Sequence, residues 1–352
     1  MRLEFIDRVK ENDILGKSIL TNEGNVLLRS GVKLTNQYIK NLRKLGVLYV
    51  YIEDDRLDDI DIEDERLCSL KQQTMKNMNK IIKNLNNANK KEAKNSLRIV
   101  ENLVEYIIES GDINKSLYDI KTYDNYTYVH CIDTGIMATF LGESMGFDLD
   151  ELIELGKGAI LHDIGKIKIP SKIINKKGKL TEEEFLEIKN HPIYGKEILV
   201  KNMYISDVVI DAVEQHHEKI DGSGYPYGLK GNQISKFGKV VCICDVYDAV
   251  SNDRSYRKKF SPNEAYELIL GGSGSMFDEK IVMKFKETFA IYPLGSCVRL
   301  SNEVEGYVVR QNKGFPDRPV IRVLYNSETK QPIQFYEVDL LKHLDIVIES
   351  IE

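Results

Sequence analysis

The sequence predicts a mainly α protein, with a helical-bundle core between a small α+β module at the N-terminal end and a small β module at the C-terminal end. Apolar residues recur every three or four positions through most of residues 66–291, a spacing typical of amphipathic helices. Short strand-like runs around one helical pattern precede this region, and alternating apolar and polar residues follow it. With 352 residues, 42% of them hydrophobic, the chain can fill more than one core.

Charge and hydropathy argue against several classes of protein. The chain has 49 Lys and Arg against 55 Asp and Glu, and this mildly acidic balance argues against bulk binding to a nucleic-acid polymer or an anionic membrane. The sequence contains neither an apolar signal-peptide region nor a run of eighteen apolar residues, so no membrane span is predicted. The five cysteines are odd in number and show no CxxC spacing, which favours reduced, mostly buried thiols. A cytoplasmic location is therefore expected.

Residues 1–52 are predicted to form the N-terminal α+β module. Thr35 is the expected N-cap of the helix NQYIKNLRKL, and Gly46 ends that helix before the strand VLYVYI. The next segment, residues 53–65, contains nine acidic residues in thirteen, which is poor material for a core. It is predicted to be a solvated acidic linker.

Residues 66–119 are predicted to be an amphipathic helical segment, interrupted near residues 86–89. Two hypotheses account for its apolar stripe. Residues 66–110 would either form a homodimer or pack against the next domain of the same chain, and the stripe is too short to establish a coiled coil.

Residues 120–291 are predicted to be all-α. Thr181 and Ser261 are each followed three residues later by a glutamate, the capping-box pattern of helix N-termini. From residue 292 to residue 352 the pattern has a period of two, with Gly, Asn and Pro between the runs, and it predicts a small β-barrel-like module.

Five of the six histidines fall within 88 consecutive positions of the all-α region. His162 is followed directly by Asp163 at the end of the apolar helix LIELGKGAIL, where an unpaired imidazole and carboxylate would be costly to bury. A divalent metal such as iron, manganese or zinc is the expected partner. Because a carboxylate can bridge two ions through its two oxygens, Asp163 is the expected centre of a two-metal site.

Asp245 is a second carboxylate within an apolar segment, since it interrupts the run VVCICDVYDAV. Asp248, one turn later, competes with it for the role of ligand. The favoured reading of Asp248 is a helix-surface carboxylate or a group that supports a ligand.

Four motifs then occur in order: HDIGKIKIP, NHPIYG, HHEKIDGSGYP and CDVYDAVSNDRSYR. Together they closely resemble the HD-GYP subgroup of the HD phosphohydrolases, over roughly residues 125–290. The resemblance implies an HD-GYP helical-bundle core and a phosphodiesterase that hydrolyses cyclic di-GMP to linear pGpG, and in some members onward to GMP.

Carried over residue by residue, the resemblance implies seven metal ligands and two divalent ions, with Fe or Mn favoured and Zn as an alternative. A hydroxide bridging the ions would attack phosphorus. Asp163 would contact both ions, and the two ligand groups are His130, His162, Asp163 and Asp245 for one ion and Asp163, His191, His216 and His217 for the other.

The resemblance also implies catalytic and substrate-binding residues. Lys166 would hold a phosphate oxygen or assist the departing alkoxide, beside Asp163 as a second catalytic residue. Arg254 and Arg257 would contact phosphate or guanine, for which the planar guanidinium is suited. In the loop Gly224-Tyr225-Pro226, the tyrosine would lie near the substrate, and a structural turn that contacts a protein partner is the competing interpretation.

One position departs from the family pattern. Members with three metals have a glutamate four residues before the first histidine, and here that position is Tyr126. A phenol with an ordinary pKa of about 10 is a poor ligand at neutral pH. The sequence therefore predicts two metals rather than three, and puts efficient conversion of pGpG to GMP in doubt.

Two other functions stay open on the sequence. A catalytically weak sensor or scaffold would bind a cyclic dinucleotide, or a signalling protein at the GYP loop. A hydrolase of another cyclic dinucleotide, such as cyclic GMP-AMP, would use the same metal chemistry on different bases.

Overall fold

The computed structural model describes residues 1–21, 25–60, 64–110, 127–176, 178–202, 205–251, 262–312 and 314–352. Within these ranges the chain is mainly helical, with a small α+β module before the helices and a β-sheet after them, so the predicted fold class is confirmed. None of the described helices combines the length and apolarity needed to cross a membrane.

The N-terminal module pairs its first and last strands around one helix. The helix begins after the N-cap Thr35, whose side chain accepts a hydrogen bond from the backbone N–H of Tyr38, as the sequence predicted. Gly46 adopts a positive φ of 78° just beyond the helix, a conformation that glycine tolerates best. The antiparallel pairs are β1 with β4 and β2 with β3, and the elements are β1 (Arg2–Phe5), β2 (Ile19–Leu20), β3 (Val26–Leu28), α1 (Asn36–Lys44) and β4 (Tyr49–Ile52).

Most described residues of the acidic segment are exposed, but two of them are buried against neighbouring elements. Asp54 is buried and accepts hydrogen bonds from the guanidinium groups of Arg2 and Arg56. Leu57 is fully buried and packs against Tyr307 of the C-terminal sheet. Counting charges does not reveal that arginines from neighbouring elements neutralise one of these carboxylates.

The two long helices that follow are α2 (Glu65–Asn86) and α3 (Lys90–Ser110), and their junction falls at the predicted interruption. Their apolar faces, including Met78 and Val100, are buried in the same core as the later helices. The structure thus shows the second reading of this stripe, packing within the chain. A dimer through residues 66–110 would have to use the outer, polar face of these helices.

A bundle of helices forms the centre of the molecule. The helix Thr127–Ser144 packs on the helices Lys90–Ser110, Leu149–Leu161 and Lys236–Ser251. One continuous apolar core runs through the bundle. Thr181 forms the predicted capping box with Glu184, whereas Ser261 lies outside the described residues. The helices are α4 (Thr127–Ser144), α5 (Leu149–Leu161), α6 (Ser171–Ile174), α7 (Glu182–Lys189), α8 (His191–Val200), α9 (Asp207–Gln215), α10 (Lys236–Ser251), α11 (Pro262–Gly271) and α12 (Glu279–Thr288).

The C-terminal strands form one antiparallel sheet with the order β8-β7-β6-β5-β9. The predicted small β module is thus a five-stranded sheet, and the first and last strands of that order are its edges. Its barrel-like character stays a prediction. The strands are β5 (Cys297–Leu300), β6 (Val304–Asn312), β7 (Phe315–Asn326), β8 (Pro332–Asp339) and β9 (Ile348–Ile351).

The N-terminal module and the acidic segment both contact the C-terminal region. The backbone N–H of Leu3 donates to the carbonyl of Gly295 at 2.8 Å. The guanidinium of Arg56 lies 5.4 Å from the ring centre of Tyr307 and 5.5 Å from that of Tyr325. Arg322 of β7 forms an ion pair of 2.6 Å with Asp59. The two ends of the chain therefore form a joint outside the helical bundle.

Candidate metal centre

Seven side chains from five parts of the bundle converge on one site. Within each donor group, the nitrogen, oxygen or sulfur atoms all lie within 4.8 Å of one another. One group contains His130, His162 and Asp245, and a second contains Asp163, His191, His216 and His217. These are the seven residues that the sequence selected.

Three of the histidines are held in the same way, each beside the end or start of a helix. The Nδ1 atoms of His162, His191 and His216 each lie 2.7 Å from the carbonyl oxygen three residues earlier in the chain. A carbonyl can only accept a hydrogen bond, so Nδ1 must carry the proton and Nε2 is left as the donor atom for a metal. The local helix ends thus fix the tautomer that a ligand needs.

His130 lies on α4 and is oriented by a different partner. Its Nδ1 lies 2.6 Å from Oδ2 of Asp248, and its Nε2 lies 2.9 Å from Oδ1 of Asp245. Asp248 is fully buried, so it is not the helix-surface carboxylate that was one half of the sequence interpretation. Its position matches the other half, a carboxylate that supports a ligand.

Asp163 belongs to the second donor group and also faces the first. Its Oδ1 is 3.2 Å from Nε2 of His191 in one group, and its Oδ2 is 3.5 Å from Nε2 of His162 in the other. The two oxygens of one carboxylate therefore face different imidazoles. This is the arrangement that a carboxylate bridging two cations requires.

Within the part of the chain that the structure describes, two buried ligand atoms lack hydrogen-bond partners, and this lack fits a site for a divalent metal. Among the described residues, Nε2 of His162 and Oδ1 of Asp163 are buried polar atoms without a hydrogen-bond partner. Such atoms are costly to bury unless something binds them. Imidazoles with carboxylates suit iron, manganese and zinc.

The protonation states also suit metal ligands. Burial lowers the pKa of His216 well below its usual value and that of His217 to about 3, so both rings are neutral. Burial alone would raise the pKa of Asp163, but the nearby Lys166 and His162 outweigh it and hold the carboxyl ionised. Metals bind neutral imidazoles and ionised carboxylates.

His130 is the exception. Burial would lower its pKa, but the hydrogen bonds that the ring donates to Asp245 and Asp248 raise it to about 10. The direct hydrogen bond from Nε2 to Asp245 needs a proton, and a metal ion would replace that proton. Metal binding at this ligand therefore releases a proton.

Lys166 lies where the sequence placed it, on the short 3₁₀ turn after Asp163. Its Nζ lies 2.5 Å from Oδ2 of Asp163, and its side chain is 30% exposed. The turn can pack closely because residue 165 is glycine: a Cβ there would lie 1.9 Å from the carbonyl oxygen of His191. Gly165 thus lets the two ligand segments meet backbone to backbone.

The GYP loop covers one side of the centre. The ring of Tyr225 lies 4.6 Å from that of His217, with 32° between the planes, and its backbone N–H donates to the carbonyl of His217. A Cβ on Gly224 would lie 2.4 Å from the backbone nitrogen of Lys219, so this glycine serves a close approach of backbone. Pro226 follows in a cis peptide bond.

Glu218 fixes this loop and was not selected from the sequence. It is buried, and its carboxylate accepts hydrogen bonds from the backbone N–H of Tyr227 at 2.7 Å and of Leu229 at 3.0 Å. Its adjacency to the two histidines in HHEK was the available signal. From the sequence alone, a glutamate at this position could equally be a surface residue, because only the folded loop buries it.

Cys131 was read as a core residue, and the structure adds a second feature. It is buried, and its sulfur forms a donor group with His162 and Asp163. Burial raises the pKa of this thiol well above its usual value, so it stays protonated and is a weaker ligand than its neighbours. The residues Tyr126, Arg254 and Arg257 lie outside the described part of the chain.

Comparison with known families matches two parts of the chain. Residues 120–281 match the family described as HD domain, and residues 297–351 match a family described as KOW domain associated with HD domain. The first match contains all seven candidate ligands and the GYP loop. The second contains the whole C-terminal sheet.

Curated relatives carry enzyme names. A cyclic di-GMP phosphodiesterase of Pseudomonas aeruginosa is 35% identical over 242 residues, which cover 69% of this chain and 58% of that protein. A 3'3'-cGAMP-specific phosphodiesterase of Vibrio cholerae is 31% identical over 166 residues, which cover 47% of this chain and 38% of that protein. The aligned regions thus span only part of the length of these relatives.

A solved structure shares the fold. An HDGYP protein from Bdellovibrio bacteriovorus superposes with a TM-score of 0.54 over 80% of this chain and 97% of that protein, at 18% sequence identity. At this identity the likeness concerns the fold alone. It extends beyond the helices of the HD match, because 80% of the chain is more than residues 120–281 contain.

Proposed function

Because residues 120–281 belong to the HD domain family, we propose that this chain is a metal-dependent phosphodiesterase that hydrolyses cyclic di-GMP to linear pGpG. The observation that carries the proposal is the position of Asp163, whose two oxygens face His162 and His191 in separate donor groups. The name of the Pseudomonas aeruginosa relative supports the choice of substrate.

Two divalent ions, Fe or Mn in the first place and Zn as the alternative, would be held by the seven ligands. His130, His162 and Asp245 would hold one ion, His191, His216 and His217 the other, and Asp163 both. When bound, such ions supply positive charge to phosphoryl oxygens and lower the pKa of a water molecule. The donor set does not select among the three metals, since all of them accept nitrogen and oxygen ligands.

The protein's own residues determine how the substrate would approach. The most exposed of the seven ligands are His217, at 23%, and His130, at 14%, so the open face of the centre lies on their side. The 30% exposed Lys166 lies beside Asp163 and would hold a phosphate oxygen with its ammonium group. Tyr225, packed on His217, would form one wall for the ligand.

Arg254 and Arg257 complete the proposed substrate site. Their planar guanidinium groups suit a phosphate or a guanine edge, and the assignment depends on the sequence motif alone. Tyr126 in place of a glutamate leads us to propose two ions and pGpG as the main product. Signalling proteins at the GYP loop are a further proposed class of partner.

The test is turnover by protein purified without oxygen, with elemental analysis of bound metal. We expect about two equivalents of Fe or Mn and conversion of cyclic di-GMP to pGpG, and we expect Asp163→Asn to lose both. Absence of linear product with Fe²⁺, Mn²⁺ and Zn²⁺ alike would overturn the proposal.

A second substrate is a cyclic GMP-AMP dinucleotide, which the name of the Vibrio cholerae relative favours. The same centre would cleave its phosphodiester, because the metal chemistry does not involve the bases. A panel of cyclic di-GMP, cyclic GMP-AMP and cyclic di-AMP, compared by kcat/KM, distinguishes the two.

A further inference from the structure

A cavity of about 230 Å³ adjoins the candidate metal centre. Asp163 and Lys166 form part of its lining, so it opens onto the proposed bridging ligand and onto the lysine that would hold the scissile phosphate. Met78 and Ile82 of α2 form another part. Neither of these two belongs to the region that matches the HD domain family.

The lining is apolar apart from a few groups. Besides Met78 and Ile82, aliphatic side chains from α5 and the following turn contribute to it, and Ile167 and Ile174 are exposed at 41% and 42%. Exposed isoleucines at a cavity mouth favour contact with an apolar, flat ligand surface.

One uncharged polar side chain lines the cavity, that of Asn175. It is exposed at the cavity mouth, and its side chain forms no hydrogen bond within the described part of the chain. A carboxamide offers both donors and an acceptor, and this combination matches the edge of a purine.

The size of the cavity restricts its occupant. Pockets that enclose whole drug-sized ligands measure about 300–1,000 Å³, so this one holds only part of a dinucleotide. A base attached to a phosphate that Lys166 holds would enter it directly, because Lys166 lies in its wall.

We propose that this cavity, the base pocket (Met78, Ile82, Lys166, Ile167, Ile174 and Asn175), receives one purine base of the substrate. The inference rests on the proposed function, since it takes the substrate to be a cyclic dinucleotide. It assigns part of substrate recognition to α2, a helix that precedes the HD domain.

An ion pair joins α2 to α4, the helix that carries the candidate ligand His130. Nζ of Lys71 on α2 lies 2.5 Å from Oδ1 of Asp133 on α4, and the side chain of Asp133 is fully buried. Asp133 follows the candidate ligand His130 by three residues on that helix. The wall of the base pocket and the metal centre are therefore held at a set distance.

The experiment compares two variants that alter the base pocket differently. Ile82→Trp fills the cavity, and Asn175→Leu removes the amide at its exposed mouth. Asn79→Leu is the matched control, because Asn79 is exposed on α2 beside Met78. For each protein we measure KM and kcat with cyclic di-GMP, binding of free guanosine by saturation-transfer NMR, and the thermal midpoint.

We expect both pocket variants to raise KM about tenfold or more while kcat stays within about twofold, as for other lost pocket contacts. Guanosine binding should be lost in Ile82→Trp, and Asn79→Leu should behave as the wild type. Unchanged KM and guanosine binding in Asn175→Leu and in folded Ile82→Trp would overturn the base pocket, with the phosphodiesterase proposal intact.

Failure of the proposed function gives a different result. If the wild type cleaves no cyclic dinucleotide but binds guanosine, and Ile82→Trp abolishes that binding, the pocket stands as a purine site and the enzyme proposal falls. If the wild type neither cleaves nor binds guanosine, both are overturned.

Discussion

Oδ2 of Asp248 lies 2.6 Å from Nδ1 of His130, and this carboxylate is completely buried. Asp245 on the same helix contacts the other nitrogen of the ring at 2.9 Å. A single helix thus provides both a proposed ligand and the group that orients a second proposed ligand. Such supporting partners determine ring orientation and basicity at metal sites.

The first prediction concerns this support. Asp248→Asn should lower metal affinity about 10- to 100-fold while the fold is retained, because the ring of His130 loses its charged orienting partner. Metal titration after chelator treatment measures the change. Asp345→Asn, at an exposed site, is the control. Unchanged affinity would show that Asp248 does not act through His130.

The second prediction separates phosphate binding from metal binding. Lys166→Ala should lower kcat about 10²- to 10³-fold with the metal content unchanged, because a cation at the developing phosphoryl charge is lost. Lys168→Ala should leave kcat near the wild-type value, since Lys168 forms an exposed pair with Glu197. Steady-state kinetics with elemental analysis measures both. Loss of metal in Lys166→Ala would assign this lysine a structural role instead.

The third prediction concerns the close approach at residue 165. Gly165→Ala should destabilise the protein by about 3 kcal/mol, because the new Cβ would overlap the backbone of His191 and Gly195. It should also reduce metal content, since His191 must move. Gly271→Ala is the control: nothing lies within 4 Å of its Cβ position, and stability should rise by about 0.5 kcal/mol. Denaturant unfolding measures both.

The fourth prediction is a pH dependence at the joint between the two ends of the chain. Burial would raise the pKa of Asp54, but hydrogen bonds from Arg56 and Arg2 outweigh it and lower the pKa. A lowered folded-state pKa gives stability that is present above about pH 4 and is lost as the pH falls through the folded value. Asp54→Asn should therefore cost about 2 kcal/mol at pH 7, and this cost should shrink as the pH falls through the lowered pKa of the carboxyl.

Unfolding curves from pH 2 to pH 7 measure this difference for Asp54→Asn and for the exposed control Asp58→Asn. The control should follow the wild type throughout. A constant difference between Asp54→Asn and wild type across the whole range would contradict the assignment of the effect to the carboxylate charge.

The sequence by itself determined the fold class, the helix caps at Thr35 and Thr181, and the residues that could bind a metal. Caps and periodicity are local, so they are written in consecutive residues. His162, Asp163 and Asp245 could be selected because an imidazole or carboxylate within an apolar run needs a partner. The other four candidate ligands followed only from the resemblance of the four motifs to the HD-GYP subgroup.

Only the tertiary structure decided how these parts meet. The face used by α2 and α3, the burial of Asp54, the orienting role of Asp248 and the loop contact of Glu218 all depend on groups far away in the sequence. The energy of a charge or an apolar stripe depends on its neighbours in space, and one sequence does not specify those neighbours position by position. Asp248 and a surface aspartate look identical in the sequence until α4 is packed against α10.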